Sequence, residues 1–274
     1  MRPRIAIPMP HSSDQKYGER ALPQYEHAVE MAGGEPVRIP FDLAPAQVMK
    51  LIERCDAVLL PGSNADVDPA KYGAPRHPKT DAADPRRDTV DELLLQDAYN
   101  MRKPVLGICY GLQILNVYRS GTLLQHIESA INHEAGRTIP VAHTVELDPQ
   151  SKLANILARV RSAASEPAVE GHGGPTAEPS PGFATGDRLL IPVNSSHHQS
   201  ADVVGDGLHV VARCPDDGII EALEGTTPEH FVLAVQWHPE RSAEDDERSQ
   251  AVFRALIEAA ESRHEKLAGE FESV

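Results

Sequence analysis

The sequence predicts an α/β fold built around a mostly parallel sheet. In the first half of the 274-residue chain, short apolar segments alternate with segments of helical periodicity. The apolar segments show no polar alternation, which is typical of parallel strands covered by helices on both faces. After about residue 141 the pattern changes to strand-like segments with little helix between them. We therefore expect additional antiparallel strands in the C-terminal half.

The elements of the first half follow one another as strand and helix. Gly33 and Gly34 end the first helix, and the third strand runs into a turn at Pro61 and Gly62. The predicted strands comprise residues 5–9, 36–40, 56–62 and 104–108, and the predicted helices comprise residues 21–32, 45–55, 88–102 and 110–118.

The second half contains five strand-like segments and a low-complexity segment. Residues 162–187 consist mainly of Ala, Ser, Pro, Gly and Glu, which predicts a flexible insertion that buries little surface. We predict one domain over residues 1–265 that carries this insertion, followed by a charged tail over residues 266–274. The strands are expected at residues 141–147, 189–193, 208–214, 219–223 and 231–237, and helices at residues 153–160 and 246–264.

The charge of the chain argues against several classes of partner. The 41 acidic residues outnumber the 26 basic ones, and the resulting net charge of −15 repels nucleic acid and anionic membranes. No apolar run approaches the ~20 residues that span a bilayer, and the N-terminal apolar stretch is too short for a signal peptide. Three widely spaced cysteines do not form a disulfide framework. We expect a cytoplasmic protein without nucleic-acid or membrane partners. The sequence is also compatible with a homo-oligomer.

The segment Gly-Ile-Cys-Tyr-Gly at residues 107–111 has the pattern of a nucleophile elbow. It follows an apolar strand and precedes a helix, and its two glycines leave room where a Cβ would crowd the neighbouring strand or helix. Cys109 would then lie at a helix N-terminus, where the helix dipole favours the thiolate. The sequence therefore predicts Cys109 as a nucleophile.

A base for this nucleophile is expected at the end of the last strand. His238 and Glu240 lie two residues apart, so an extended chain would point both side chains the same way. Pro239 favours an extended conformation for His238. Glu240 would hold one imidazole nitrogen while the other faces the thiol.

Several motifs resemble those of one superfamily. The segments LGICYGLQ (106–113), GTL (121–123) and AVQWHPE (234–240) resemble class I glutamine amidotransferase-like proteins. Within it, PGSNADVDP (61–69) and NSSHHQ (194–199) resemble the gamma-glutamyl-gamma-aminobutyrate hydrolase branch. The resemblance implies a flavodoxin-like three-layer sandwich, and a Cys109–His238–Glu240 triad that cleaves the γ-glutamyl amide bond of a small substrate.

Three positions depart from the pattern of that branch. Tyr110 stands where the branch usually has Arg, and Ser63 stands where a second Gly is usual. Ser120 replaces the first residue of a Gly-Gly pair. Tyr110 bears on the identity of the substrate more than on the chemistry. Ser63 would cost about 1 kcal/mol if its backbone had to take a positive φ.

The reaction requires an oxyanion hole and contacts to the glutamyl group. The backbone N–H of Tyr110 directly follows the nucleophile, and the turn at Gly62 and Ser63 is the second candidate donor. Gln113 lies one helical turn past Cys109, where it would contact the glutamyl amino or carboxylate group or, alternatively, act as a helix-capping or solvated glutamine.

No metal and no cofactor are predicted. The chain lacks paired CxxC motifs, and Arg137 stands where an HExxH motif starting at His133 would need its second histidine. We expect one of His197 and His198 to line the substrate site and the other to pack, and the sequence leaves open which does which. Phosphate-binding loops and dinucleotide fingerprints are also missing from the sequence.

Three functions are compatible with these features. The first is a stand-alone γ-glutamyl amide hydrolase that works through a glutamyl thioester. The second is a glutaminase subunit that delivers ammonia to a separate synthetase. The third is a non-catalytic binding protein on the same fold. The intact set of Cys109, His238 and Glu240 favours the two enzymatic functions.

Overall fold

A computed structural model describes residues 2–164 and 189–272 of the chain. The strands are β1 (Arg4–Pro8), β2 (Glu35–Ile39), β3 (Ala57–Leu60), β4 (Val105–Ile108), β5 (Leu123–Leu124), β6 (His143–Leu147), β7 (Leu189–Val193), β8 (Ser200–Ala201), β9 (Leu208–Arg213), β10 (Ile220–Gly225) and β11 (Val232–Val235). The helices are α1 (Gln15–Met31), α2 (Pro45–Ile52), α3 (Pro85–Met101), α4 (Tyr110–Tyr118), α5 (Lys152–Ala164) and α6 (Glu247–Glu272).

Nine of these strands form one central sheet in the order β2-β1-β3-β4-β11-β10-β9-β6-β7. The five strands from β2 to β11 pair in parallel, and the remaining four continue the sheet in antiparallel pairs. The predicted α/β class, with a mostly parallel sheet and antiparallel strands from the second half of the chain, is confirmed. A separate short ladder joins β5 to β8.

Both faces of the sheet carry a hydrophobic core. Ile5 and Ile7 of β1 point into one core, which α1, α5 and α6 cover, while Ala6 points into the other, which α2, α3 and α4 cover. Since successive side chains of a strand point to opposite faces, an uninterrupted apolar strand supplies both cores. The result is a sandwich of three layers.

Helices α1 and α6 depart furthest from the residues that the sequence predicts. Helix α1 begins at Gln15 instead of residue 21, because the Asp14 carboxylate accepts a hydrogen bond of 2.9 Å from the N–H of Tyr17 and caps the first turn. Pro23 is accommodated inside this helix. Helix α6 continues beyond residue 264 into the charged C-terminal segment.

Of the predicted insertion at 162–187, residues 162–164 end α5 and the rest lie outside the described residues. Within the described ranges, none of the helices is both long and apolar enough to cross a membrane.

Backbone strain occurs at Ser120 rather than at Ser63. Ser120 has a φ of 69°, whereas the φ of Ser63 is not positive. Ser120 follows the C-cap of α4, a position where a left-handed residue commonly ends a helix and glycine is preferred. The expected cost of a positive φ at Ser63 therefore does not arise.

We expect Ser120→Gly to raise the free energy of unfolding by about 0.5–1 kcal/mol, because glycine takes the left-handed conformation without a Cβ clash. Ser63→Gly is the matched control and should lower the stability, since it only adds freedom to the unfolded chain and removes the hydroxyl that accepts from Ala65 N–H. Urea unfolding of both variants measures this difference. A larger stabilisation by Ser63→Gly than by Ser120→Gly would contradict the assignment of strain.

Candidate active site

Cys109 occupies a strained turn between β4 and α4. Its φ of 53° and ψ of −106° are rare for a residue with a Cβ. A Cβ on Gly111 would overlap the carbonyl oxygen of Leu60 in β3, and a Cβ on Gly107 would lie 2.8 Å from the carbonyl oxygen of Gly111. Packing therefore requires glycine on both sides of Cys109, as the sequence analysis expects. The backbone has the geometry of a nucleophile elbow.

His238 and Glu240 form a buried pair just after β11. The imidazole Nδ1 lies 2.8 Å from the carboxylate Oε1 of Glu240. The chain does not remain extended through these residues, which corrects the expectation from the sequence. Pro239 begins a 3₁₀ helix over Pro239–Arg241, because its fixed φ suits the first position of a helical turn. This turn brings the two side chains together.

Asn194 fixes the backbone of His238 from a neighbouring loop. Its Nδ2 donates to the carbonyl oxygen of His238 at 2.8 Å, and its Oδ1 accepts from the N–H of His238 at 2.9 Å. Both contacts are buried. The side-chain amide thus substitutes for a strand partner at the point where β11 has ended.

Parallel pairing brings the thiol and the imidazole to the same edge of the sheet. β4 and β11 are neighbours in register, with Ile108 opposite Val235, and the N–H of Cys109 donates to the carbonyl oxygen of Val235 at 2.9 Å. Gly62 lies next to both side chains. A Cβ there would come 3.1 Å from Cε1 of His238 and 3.7 Å from Cβ of Cys109.

Burial sets the protonation states of this group. It raises the pKa of the Cys109 thiol to about 12, although the Arg241 guanidinium opposes the shift. Burial also lowers the pKa of His238, against the attraction of Glu240. Burial would raise the pKa of Glu240, but His238 and Arg241 hold it below its usual value. These shifts favour the protonated thiol, the neutral imidazole and the ionised carboxylate of Glu240.

The predicted oxyanion donors have different partners. The N–H of Tyr110 points to the sulfur of Cys109 and stabilises negative charge there. The N–H of Gly62 donates to the hydroxyl of Tyr25 at 3.0 Å. Ser63 is half-buried, and its hydroxyl accepts from the N–H of Ala65 at 3.1 Å. The Gly62 donor is therefore already occupied by the Tyr25 hydroxyl, a contact that sequence reasoning missed.

The side chain of Tyr110 lies in a buried polar network. Its hydroxyl donates to Asp88 at 2.6 Å, and the Arg87 guanidinium lies 5.0 Å from the centre of its ring. Arg87 is itself fully buried, pairs with Asp91 at 2.7 Å and donates to the carbonyl oxygen of Pro61 at 2.8 Å. Arg87 thus supports the turn that carries Gly62. The sequence does not reveal this role, because it does not show that Arg87 is buried.

The three predicted substrate contacts separate into two environments. Gln113 is buried, and its amide donates to the carbonyl oxygen of Gln199 at 3.2 Å, so the alternative of a solvated glutamine is wrong. His197 is buried, and its Nδ1 lies 2.9 Å from the same carbonyl oxygen. His198 is half-buried, and Asp66, 3.1 Å away, raises its pKa.

Comparison with known proteins places the chain in a family. Its sequence matches the Peptidase C26 family over residues 5–170 and 181–240. The chain belongs to the peptidase C26 family. It thereby belongs among hydrolases, within the glutamine amidotransferase-like proteins that the motifs around Cys109 and His238 resemble.

Relatives of this peptidase C26 member have different names. It is 36% identical over 242 residues to "Putative glutamine amidotransferase Rv2859c" from Mycobacterium tuberculosis, covering 86% of this chain and 66%, just under two thirds, of that protein. It is 29% identical over 248 residues to the Escherichia coli K12 gamma-glutamyl-gamma-aminobutyrate hydrolase PuuD, covering 87% and 85%. "Protein NtpR" from Enterococcus hirae is 28% identical over 240 residues, covering 85% and 87%.

Solved structures support the fold of this C26 protein. The Thermoplasma acidophilum protein described as "a putative gmp synthase subunit a protein" superposes with a TM-score of 0.62 at 13% identity, covering 98% of both chains. PurLQS from Thermotoga maritima superposes with a TM-score of 0.51 at 19% identity, covering 94% of this chain and 99% of that one. At such identities the likeness concerns the fold alone.

A second buried cluster in this C26 protein escaped the sequence analysis. His133, His143, His197 and Glu221 place one nitrogen or oxygen each within 4.8 Å of one another, and these are groups that hold a metal ion. The four residues come from separate segments, so no local spacing marks them. The adjacent pair His197-His198 drew attention in the sequence, but its two members belong to different clusters.

We expect Asn194→Ala to lower kcat/KM by about 10- to 100-fold, about 1.4–2.7 kcal/mol, because the His238 backbone loses both of its side-chain contacts. Asn155→Ala is the matched control, since it also removes a side-chain amide that donates to a backbone oxygen, but on helix α5. Steady-state kinetics of both purified variants measure the effect. Equal losses in both variants would contradict a positioning role for Asn194.

Proposed function

We propose that this protein is a cysteine-dependent hydrolase that cleaves the γ-glutamyl amide bond of small γ-glutamyl amines through a glutamyl thioester. The observation that carries the proposal is the convergence of Cys109, on its strained turn, with the buried His238–Glu240 pair beside Gly62. Membership of the C26 family and the 29% identity to a gamma-glutamyl-gamma-aminobutyrate hydrolase support the choice of bond.

In the proposed first step, the sulfur of Cys109 attacks the amide carbon while its proton passes to Nε2 of His238. Proton transfer accompanies attack in this proposal, because burial favours the protonated thiol. Glu240 holds the Nδ1 side of the ring and stabilises the imidazolium. The negative oxygen of the intermediate would accept from Tyr110 N–H, and from Gly62 N–H once the Tyr25 hydroxyl gives way.

The intermediate then collapses as the carbon–nitrogen bond breaks. The imidazolium of His238 gives its proton to the departing amine, which leaves as a neutral molecule. His238 next takes a proton from the water that attacks the thioester carbon, and gives it to the sulfur as the carbon–sulfur bond breaks. The released carboxylic acid then loses its own proton to solvent and becomes glutamate. We propose that Gln113, His197 and Ser63 shape the site around the glutamyl group, and that His198 does so through the loop that carries Asp66.

The test is hydrolysis by the isolated chain. Purified protein is incubated with γ-glutamyl-γ-aminobutyrate, with other γ-glutamyl amines and with glutamine, and the released glutamate is measured enzymatically. We expect release from γ-glutamyl amines at a higher kcat/KM than from glutamine. No release from any of these substrates, by a chain that unfolds cooperatively, would overturn the proposal and favour a non-catalytic binding protein.

A glutaminase subunit is the second candidate, because one relative bears the name of a glutamine amidotransferase. Both functions use the same thioester, so the leaving group separates them. Preferential release of ammonia from glutamine, increased by a synthetase partner, would favour the glutaminase.

The buried free thiols of Cys55, Cys109 and Cys214 suit a reducing compartment, and we propose the cytoplasm.

A further inference from the structure

Three imidazoles and one carboxylate meet in a closed part of the protein beside the candidate active site. We call His133, His143, His197 and Glu221 the histidine–glutamate cluster. The first lies in a loop, the second begins β6, the third follows β7 and the last lies in β10. Glu221 has no exposed surface, and the histidines are 3%, 7% and 4% exposed. Groups this polar and this buried need strong partners.

The atoms of this cluster that face one another lack hydrogen bonds of normal geometry. Neither oxygen of Glu221 takes part in a hydrogen bond of that kind, and neither do Nδ1 of His133, Nε2 of His143 and Nε2 of His197. Oε1 of Glu221 lies 3.3 Å from the His133 nitrogen and 3.6 Å from each of the other two. A zinc ion with ligands at 2.0–2.1 Å in a tetrahedron places neighbouring ligand atoms about 3.3–3.5 Å apart. The shortest of these separations falls in this range, the other two are slightly longer, and all four ligand atoms lie within 4.8 Å of one another.

The outer nitrogens of the three rings are each held by an acceptor. They contact Oδ2 of Asp217 at 2.9 Å from His133, the carbonyl oxygen of Thr144 at 3.2 Å from His143, and the carbonyl oxygen of Gln199 at 2.9 Å from His197. Each outer nitrogen must therefore carry a proton, so in a neutral ring the inner nitrogen carries a lone pair. Metal-binding histidines show this arrangement, with the outer N–H on a carboxylate or a backbone carbonyl.

Protons are the competing occupant of the cluster. One imidazolium at His133 would pair with both Asp217 and Glu221. It would still leave the inner nitrogens of His143 and His197 as lone pairs facing the Glu221 carboxylate, which repels them. A divalent cation attracts all four inner atoms at once and removes every one of these unfavourable contacts.

We propose that the histidine–glutamate cluster binds one zinc ion, or another divalent transition metal that accepts three imidazoles and one carboxylate. Four protein ligands in a closed pocket are typical of a structural site rather than a catalytic one. A surface cavity of about 300 Å³, lined by Ile131, Glu134 and His198 as well as by His133 and His197, leads to it and provides a path of entry. The proposal does not depend on the proposed hydrolase activity.

The metal would tie the candidate active site to the antiparallel half of the sheet. His197 lies three residues after Asn194, which holds the backbone of His238, and two residues before Gln199, whose carbonyl oxygen accepts from Gln113. On the other side of the ion, Glu221 belongs to β10, next to β11. Fixing His197 therefore limits the motion of the loop that positions the proposed base.

The experiment uses the full chain, purified without an affinity tag and without chelators. Zinc content is measured by inductively coupled plasma mass spectrometry after dialysis, and we expect about one ion per chain. The stripped protein is then titrated with Co²⁺, whose visible absorption is intense in a four-coordinate site and weak in a six-coordinate one. We expect the intense spectrum, and a Tm several degrees higher with zinc than with chelator.

Variants decide where the metal binds. His143→Gln and Glu221→Gln should lose the zinc and the intense Co²⁺ spectrum, whereas His27→Gln, a half-exposed histidine paired with Glu244, should keep both. If the variants do not fold, the spectrum and the zinc-dependent Tm of the unmodified chain decide. Zinc content near zero with an unchanged Tm would overturn the proposal and leave the protonated cluster. Equal zinc in His143→Gln would also overturn it.

Discussion

We expect replacement of Cys109 by Ala to lower the kcat/KM for the proposed γ-glutamyl amide hydrolysis by at least about 10³-fold, which corresponds to about 4 kcal/mol of transition-state stabilisation. The variant lacks the atom that forms the thioester, so only the general electrostatic and binding contributions of the site remain. Cys109→Ser should lose activity to a similar extent, because a hydroxyl in this buried turn is a weaker nucleophile than the thiol. Initial rates of glutamate release measure both effects.

Cys55→Ala is the matched control for this loss. Cys55 is also buried, and burial raises the pKa of its thiol to about 11, but its sulfur contacts the carbonyl oxygen of Leu51 at the end of α2, away from the proposed site. This variant should unfold more easily and keep most of its kcat/KM. Retention of activity in Cys109→Ala, or equal loss in Cys55→Ala, would contradict the assignment of the nucleophile.

The sequence was sufficient to predict what depends on local constraint. Helix α4 spans the predicted residues 110–118. The segment before it could be recognised because β3, β4 and α4 approach so closely that only glycine fits at positions 107 and 111. The parallel strands were predicted for a related reason. Burial on both faces makes each of them continuously apolar, which a single sequence reveals directly.

Contacts between distant segments could not be predicted in this way. The hydrogen bond from Gly62 to Tyr25 joins residues 37 positions apart, and neither residue type indicates the other. The histidine–glutamate cluster combines four segments that share no spacing, so its members looked like ordinary polar residues. The turn at Pro239 was also missed, because the same residue type favours an extended neighbour and begins a helical turn.

The contributions of His238 and Glu240 should differ in size. His238→Ala removes both the acceptor of the thiol proton and the donor to the leaving amine, so we expect a loss of kcat/KM above that of any Glu240 variant. Glu240→Gln keeps the shape of the side chain and removes its charge. We expect it to cost about 10- to 1000-fold, or about 1.4–4 kcal/mol, because the imidazolium then forms without its carboxylate.

The pH dependence separates the role of Glu240 from simple loss of structure. His238 must be neutral to accept the thiol proton, so the rate falls on the acid side as the pH passes below the pKa of His238. Burial lowers the pKa of His238, and the negative charge of Glu240 offsets part of that lowering. Removing the charge in Glu240→Gln lowers the pKa of His238 further, and the acid limb of the kcat/KM profile should move to lower pH.

Glu244→Gln is the matched control for this shift, because Glu244 is mostly exposed and pairs with His27 outside the proposed site. Its profile should stay in place with an unchanged rate. A misfolded Glu240→Gln protein would lose rate at every pH without moving the limb. A loss at Glu240 that equals or exceeds the loss at His238, together with an unmoved acid limb, would mean that Glu240 acts without His238, for example by binding the substrate directly.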